Sequence, residues 1–425
     1  MSSNTDNRKA KDRVLLPQRL AAQVANRRSR HLNRTLTDLS ALAIPATHDF
    51  ASNDYMGLAR ALSTATPSQH PHGSTGSRLL SGHSPLATTV EHSLAALHSS
   101  PAALLFNSGY VANLSVFSAL ASPGDLLLLD ELVHASVWDA ARMAVGRWAM
   151  RGNPEAVQVR TFKHGNVSDM CRAIGEYRAA NAKGAVMVAV EAIYSMDGTV
   201  VPLREMVDAV GRWEDVWFIV DEAHSSGVVG EAGTGVVKAL GLETEERVLV
   251  RVHTFGKAVG CHGAVAFCSN DVREYLLNYA RPLIYSTMMA PAAVQAISDS
   301  YAYLVKHHAQ LSSNLSAIIA HFRSTASSYS LPLVPSSTHI QGILIPGNQR
   351  VVRIARELLN RGMYTLPIRS PTVAPGAERI RICLHAYNSM VAVDDLCLAV
   401  KDLLLSEQEQ DIKAKRDANV VVAKL

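Results

Sequence analysis

What most constrains the fold of this chain is a repeated pattern: short apolar runs that stop abruptly at a polar residue. Val216-Trp217-Phe218-Ile219-Val220 ends at Asp221, and Val248-Leu249-Val250 leads to Thr254 and then Lys257. Ala102-Ala103-Leu104-Leu105-Phe106, Leu126-Leu127-Leu128-Leu129 before Asp130, Ala185 to Val190 before Glu191, and Ala264-Val265-Ala266-Phe267 have the same character. Apolar runs of about four to eight residues bounded by turn residues read as strands buried on both faces. Helical stretches such as Ser168 to Ala180 lie between most of them. Strands alternating with helices predict an α/β fold with a mostly parallel, doubly wound sheet.

This pattern fills residues 51–300, the expected large domain. Residues 1–50 read as a basic, partly helical arm folded over it. Residues 301–425 change character: a helix predicted over about Ala302 to Ser324 leads into short strands and two further helices, a smaller α+β domain. The 425 residues, 48% of them hydrophobic, suffice for such cores. A net charge of +4 without a dense basic stripe argues against nucleic acid and suits phosphorylated or coenzyme A (CoA) substrates. The five cysteines form no C-x-x-C pair, so neither a disulfide framework nor a metal site is predicted, and a reducing, intracellular compartment fits. No apolar run reaches the roughly 18 residues of a membrane span, and no secretory signal opens the chain. Ala423-Lys424-Leu425 differs from the S-K-L peroxisomal address by one small residue. It predicts a peroxisomal protein read by an import receptor; without it a cytoplasmic location is expected.

In open α/β sheets, ligands bind beyond the carboxyl ends of the strands. There the sequence places Asp221, His224 three residues later, and Lys257. A lone loop lysine is most often a solvated charge, and an aspartate at a strand end is often a helix cap. In this order, however, they meet the needs of pyridoxal 5'-phosphate (PLP): an amine for a Schiff base and a carboxylate that keeps the pyridine nitrogen protonated. Other strands deliver polar residues to the same rim. Asn107-Ser108-Gly109-Tyr110 precede a helix expected from near Val111, whose N-terminus is a ready phosphate site. His134 is placed to stack on a cofactor ring, and Glu191, Ser195 and Asp197 follow another strand. The stretch Gly73 to Gly82 is rich in glycine and serine, and its amides can approach an anion. Arg369 lies before Arg379-Ile380-Arg381-Ile382, whose two arginines share one strand face. A guanidinium there can hold a carboxylate bidentately.

Taken in order and spacing, these segments resemble the α-oxoamine synthases, PLP enzymes of the aspartate-aminotransferase fold (fold type I), over nearly the whole chain. The resemblance rests on Asp49 to Leu58, Gly73 to Gly82, Asn107 to Asn113, Asp130 to Ser136, Ser195-Met196-Asp197-Gly198, Asp221 to His224, Thr254 to Lys257 and Pro371-Thr372-Val373. It implies that Lys257 carries the Schiff base, Asp221 pairs with the pyridinium nitrogen, His224 contacts the ring hydroxyl and His134 stacks on the ring. Gly109, Tyr110, Ser195 and Thr254 would help hold ring and phosphate. Arg369 with Asn53 would bind the amino-acid carboxylate, Thr372 would line the substrate site, and Arg28, among the arginines near 27–30, would meet the acyl-CoA. A homodimer is implied, with the Gly73–Gly82 loop serving its neighbour's cofactor.

Ser108-Gly109-Tyr110, Gly263-Ala264 and Ile368 to Val373 resemble the branch that joins L-alanine to a pimeloyl thioester, releasing CoA and carbon dioxide in biotin synthesis. Thr199, where an acid is usual, and Cys261-His262 depart from the pattern. The alternative readings are a secondary-metabolic or sphingoid-type synthase using a longer acyl or polyketide thioester, and a non-catalytic scaffold subunit. Lys257, Asp221 and His134 speak against the scaffold.

Overall fold

A computed structural model describes residues 16–30, 32, 44–62, 71–153, 157–180 and 183–422, without the side chains of 408–422. Ala423-Lys424-Leu425, read as a targeting address, lies outside the described residues. The apolar runs form strands β1 (Ala102–Phe106), β2 (Asp125–Asp130), β4 (Val186–Glu191), β5 (Val216–Asp221), β6 (Val248–Thr254) and β7 (Ala264–Cys268), joined by β3 (Val157–Phe162). They make one seven-stranded sheet in the order β1-β7-β6-β5-β4-β2-β3. Only β7 runs against its neighbours.

Alternate side chains enter two cores, one on each sheet face. Leu105, Val188, Val220 and Phe267 pack with the helices Pro85–Leu97, Val167–Ala180 and Pro291–Ser328. Leu104, Ala189, Ile219 and Val252 pack with Gly109–Leu120, Ala135–Ala149 and Asn270–Tyr279. Leu104 and Leu105 are both wholly buried, on opposite faces, and truncating either to Ala is expected to cost about 2–5 kcal/mol.

A second, antiparallel sheet orders β8 (Ile340–Leu344), β10 (Arg379–Cys383) and β9 (Leu366–Ile368) as β8-β10-β9. The segment 49–55 ties this sheet to the site: Cys383 N–H donates to Phe50 O at 2.9 Å, and Ala386 N–H to Tyr55 O at 2.8 Å. The helix expected from Ala302 begins earlier, at Pro291, where proline's fixed φ suits a first helical turn. The N-terminal arm does form a helix, Leu16–Ser29, but none of its residues is buried. Its end, at Ser29 and Arg30, shares a cleft with Gly347 to Arg353, and beyond it Leu32, Asp49 and Phe50 are buried.

Candidate active site

The parallel register brings the polar strand ends to one rim. Glu191 lies beside Asp221, and Asp221 beside Val252, two residues before Thr254. Thr254 pairs with Ala264, which pairs in turn with Phe106, so the Ser108-capped helix Gly109–Leu120 starts at the same edge. A Cβ at Gly109 would lie 3.1 Å from Thr254 Cβ, so the glycine lets the helix start press against that strand end.

Lys257 follows β6 in a tight turn closed by Gly260 N–H on Lys257 O at 2.9 Å. Its Nζ lies 2.8 Å from His224 Nε2. Burial lowers the amine to about 8, against the pull of the Asp221 and Glu191 carboxylates, which favour its charged form. Burial also drives His224 well below the usual histidine range, helped by the Lys257 and Arg381 cations. Asp221 accepts from Ala223 N–H at 2.9 Å and from Asn113 Nδ2 at 2.7 Å. Asn113 Nδ2 also donates to Ser136 Oγ at 3.0 Å, and that hydroxyl meets His134 Nδ1 at 2.8 Å. His134 itself is exposed at the rim. Burial, reinforced by the neighbouring Asp221, pushes the Glu191 carboxyl well above the usual range, and its Oε1 is buried without a partner.

The remaining predicted residues fall in several places. Ser195 joins the cluster through its carbonyl, which accepts from Arg381 Nε at 2.6 Å, and its N–H donates to Glu191 Oε2 at 3.3 Å. Asn53 Oδ1 accepts from Tyr55 Oη at 2.8 Å and from both Arg381 terminal nitrogens at 3.3 Å. Tyr110 is exposed, donates to the Asp139 carboxylate and meets His134 edge-on at 6.2 Å. Arg369 is half-buried after β9 and Thr372 is exposed on the following loop. Arg28 is exposed on the N-terminal helix and is not joined to this network among the described residues. Thr199, the departure noted above, hydrogen-bonds the Asp197 carboxylate and meets His164 Nε2 at 3.0 Å, while His164 Nδ1 pairs with Asp130 at 3.0 Å. The neighbouring Gly198 has a φ of 72°, and a Cβ there would strike Ile340 O at 2.1 Å, so the loop abuts β8 only through glycine.

Tyr55, Asn113, Ser136 and Arg381 belong to this constellation, although sequence reasoning gave the first three no role of their own and noted Arg381 only for its strand face. For Arg381 a signal existed: an arginine inside the apolar strand Arg379–Cys383 has to find buried acceptors. The other three had none, since the contacts that bring them into the site are remote: Asn113 meets Ser136 23 residues away and Asp221 108 away, and Tyr55 meets His224 169 away and Arg381 326 away.

The donor set fits PLP. A half-buried lysine with a lowered pKa is suited to imine formation. A carboxylate fixed by Ala223 and Asn113 is suited to a pyridinium nitrogen. The exposed His134 ring leaves aromatic surface at the rim above the buried, unpartnered Glu191 Oε1, and the helix starting at Gly109 offers amides to a phosphate.

Comparisons with known proteins agree. Residues 47–400 match the family described as aminotransferase class I and II. The 8-amino-7-oxononanoate synthase of Emericella nidulans is 37% identical over 416 residues, covering 92% of this chain and 96% of that protein. Among solved structures, a serine palmitoyltransferase variant from S. paucimobilis with bound PLP superposes with a TM-score of 0.77 at 23% identity, covering 92% of this chain and 98% of that one. The 8-amino-7-oxononanoate synthase of Francisella tularensis gives 0.69 at 24% identity, covering 86% and 99%. These two show the shared fold. With its sheet, its rim of strand-end residues and a family match over most of its length, the chain belongs to the class I and II aminotransferase family.

Proposed function

We propose that this protein is a PLP-dependent 8-amino-7-oxononanoate synthase, condensing L-alanine with pimeloyl-CoA to 8-amino-7-oxononanoate, CoA and carbon dioxide. One observation carries the reading: Lys257 Nζ sits 2.8 Å from His224 Nε2 on the rim that also holds Asp221, in a chain 37% identical to a synthase of that name. When bound, PLP supplies an electron sink that stabilises negative charge at the amino acid's α-carbon.

The chain's own residues do the rest. Lys257 would hold the cofactor, and as a free amine it can take the α-proton of alanine. A lowered pKa leaves a substantial neutral fraction near neutral pH, as a base requires. Asp221, oriented by Asn113, would keep the pyridine nitrogen protonated, and His134 would face the ring. The amides at Gly109 and Tyr110, with Ser195 and Thr254, would hold the phosphate and ring. Arg369 and Asn53 orient the alanine carboxylate for loss as carbon dioxide, beside Thr372. Arg28 would meet the acyl-CoA.

A homodimer is part of the proposal. Leu79 and Leu80 in the Gly73–Gly82 loop are 49% and 87% exposed, apolar surface that a second copy would cover. Sedimentation of a fully active monomer would sink that element.

The test is an absorption spectrum of the purified protein with PLP, titrated with L-alanine and then with pimeloyl-CoA or palmitoyl-CoA. An imine band perturbed by alanine, with CoA released only from the pimeloyl thioester, is expected. Turnover of palmitoyl-CoA alone would move the protein to the long-chain reading, and no band at all would overturn the catalytic one.

A further inference from the structure

Behind His224 runs a chain of polar groups whose hydrogen-bond directions are fixed at both ends. At one end stands Arg381, buried among acceptors. A guanidinium can only donate. Its two terminal nitrogens lie 3.3 Å from Asn53 Oδ1, so the atom they meet is an oxygen and the amide orientation is settled. Tyr55 Oη lies 2.8 Å from that same oxygen. The phenol has one hydrogen, and it goes to Asn53. Tyr55 therefore meets His224 Nδ1, at 2.8 Å, as an acceptor, and Nδ1 carries the hydrogen. A neutral imidazole with a protonated Nδ1 has a lone pair on Nε2.

The other end gives the same answer independently. Nε2 lies 2.8 Å from Lys257 Nζ. Below about 8 the amine is an ammonium, which has hydrogens and no lone pair, so Nε2 must accept. Doubly protonated His224 is excluded by burial between two cations.

We propose that Tyr55 is a positioning residue that locks His224 as the Nδ1–H tautomer, so that Nε2 presents a lone pair to Lys257. The rest of the environment is quiet. His339 packs on Tyr55 at 4.0 Å but is held down to about 3 by burial, and is neutral. His385 stands 6.1 Å away and is likewise depressed, while the Cys383 thiol is pushed up by burial and donates to Asn53 Oδ1 at 3.7 Å. The lone pair stabilises the charged form of Lys257, alongside Asp221 and Glu191 and against Arg381. Only the bearing of this lone pair on imine formation rests on the proposed function.

The test is tautomer assignment by long-range 1H–15N correlation on the full-length, histidine-labelled protein without PLP. The His224 signals are identified by their loss in His224→Gln. Protonated Nδ1 and bare Nε2 are expected; a protonated Nε2 overturns the proposal, whatever the protein's activity. In Tyr55→Phe the imidazole loses its acceptor and is expected to turn to Nε2–H. That form stabilises neutral Lys257, so the pH midpoint for imine formation with PLP falls by about one pH unit. A Tyr55→Phe protein that binds PLP with an unchanged tautomer and midpoint also overturns it. The wild-type spectrum decides the matter if that variant does not fold.

Discussion

His224 and His98 are both buried, and burial keeps both neutral, yet their surroundings differ in kind. His98 stacks on Phe267 with ring centroids 4.2 Å apart and meets His253 edge-on at 4.7 Å. Arg251 donates twice to the His98 carbonyl at 3.2 Å, and His253 pairs with Ser226 Oγ at 2.8 Å. Those contacts end on backbone, rings and a hydroxyl. The contacts of His224 run on in both directions, through Tyr55 to Asn53 and Arg381 and through Nε2 to Lys257. A depressed histidine is thus common to core and site. What distinguishes the site is a directed series of donors and acceptors that ends on an amine at a strand's carboxyl end.

The largest effect expected from breaking this contrast is at the amine. Lys257→Ala should abolish the imine band and lower kcat by on the order of a thousandfold or more, with the melting temperature nearly unchanged. Asp221→Asn should come next, lowering kcat about 10²- to 10⁴-fold and weakening PLP binding, measured by cofactor titration and steady-state kinetics. The pH profile sharpens the comparison further. Since neutral Lys257 attacks PLP, imine formation should rise about tenfold per pH unit below a midpoint of about 8 and level off above it. A midpoint near about 10.4 would mean an ordinary exposed lysine.

A smaller effect separates the two adjacent carboxylates. Burial raises the Glu191 pKa in the folded state, so the folded protein keeps that proton to higher pH than the unfolded chain. Stability then falls as pH rises between the unfolded and folded values, and Glu191→Gln should flatten that slope while keeping activity within a few-fold. Denaturant midpoints across that range check it. The smallest effect belongs to the other cluster. His98→Phe should leave kcat unchanged and alter stability by no more than about 2 kcal/mol, read from denaturant unfolding.

Much of this was legible before any coordinates. The strand ends at Asp221 and Thr254, the turn lysine and the helix after Ser108 write themselves into short stretches of sequence, because a parallel strand buried on both faces is an unbroken apolar run. Strand β3 was missed because Val157-Gln158-Val159-Arg160-Thr161-Phe162 is an edge strand with polar residues in its middle. Tyr55 was read only as part of a motif. Its partners His224 and Arg381 lie 169 and 326 residues away, and no local pattern records a contact that the fold makes at that distance.

The most direct test of the site built around Lys257 is borohydride reduction of the protein incubated with PLP, followed by peptide mass mapping. The account predicts a single reduced adduct on Lys257, lost on prior displacement of the lysine by L-alanine. An adduct on another lysine, or none, would contradict it.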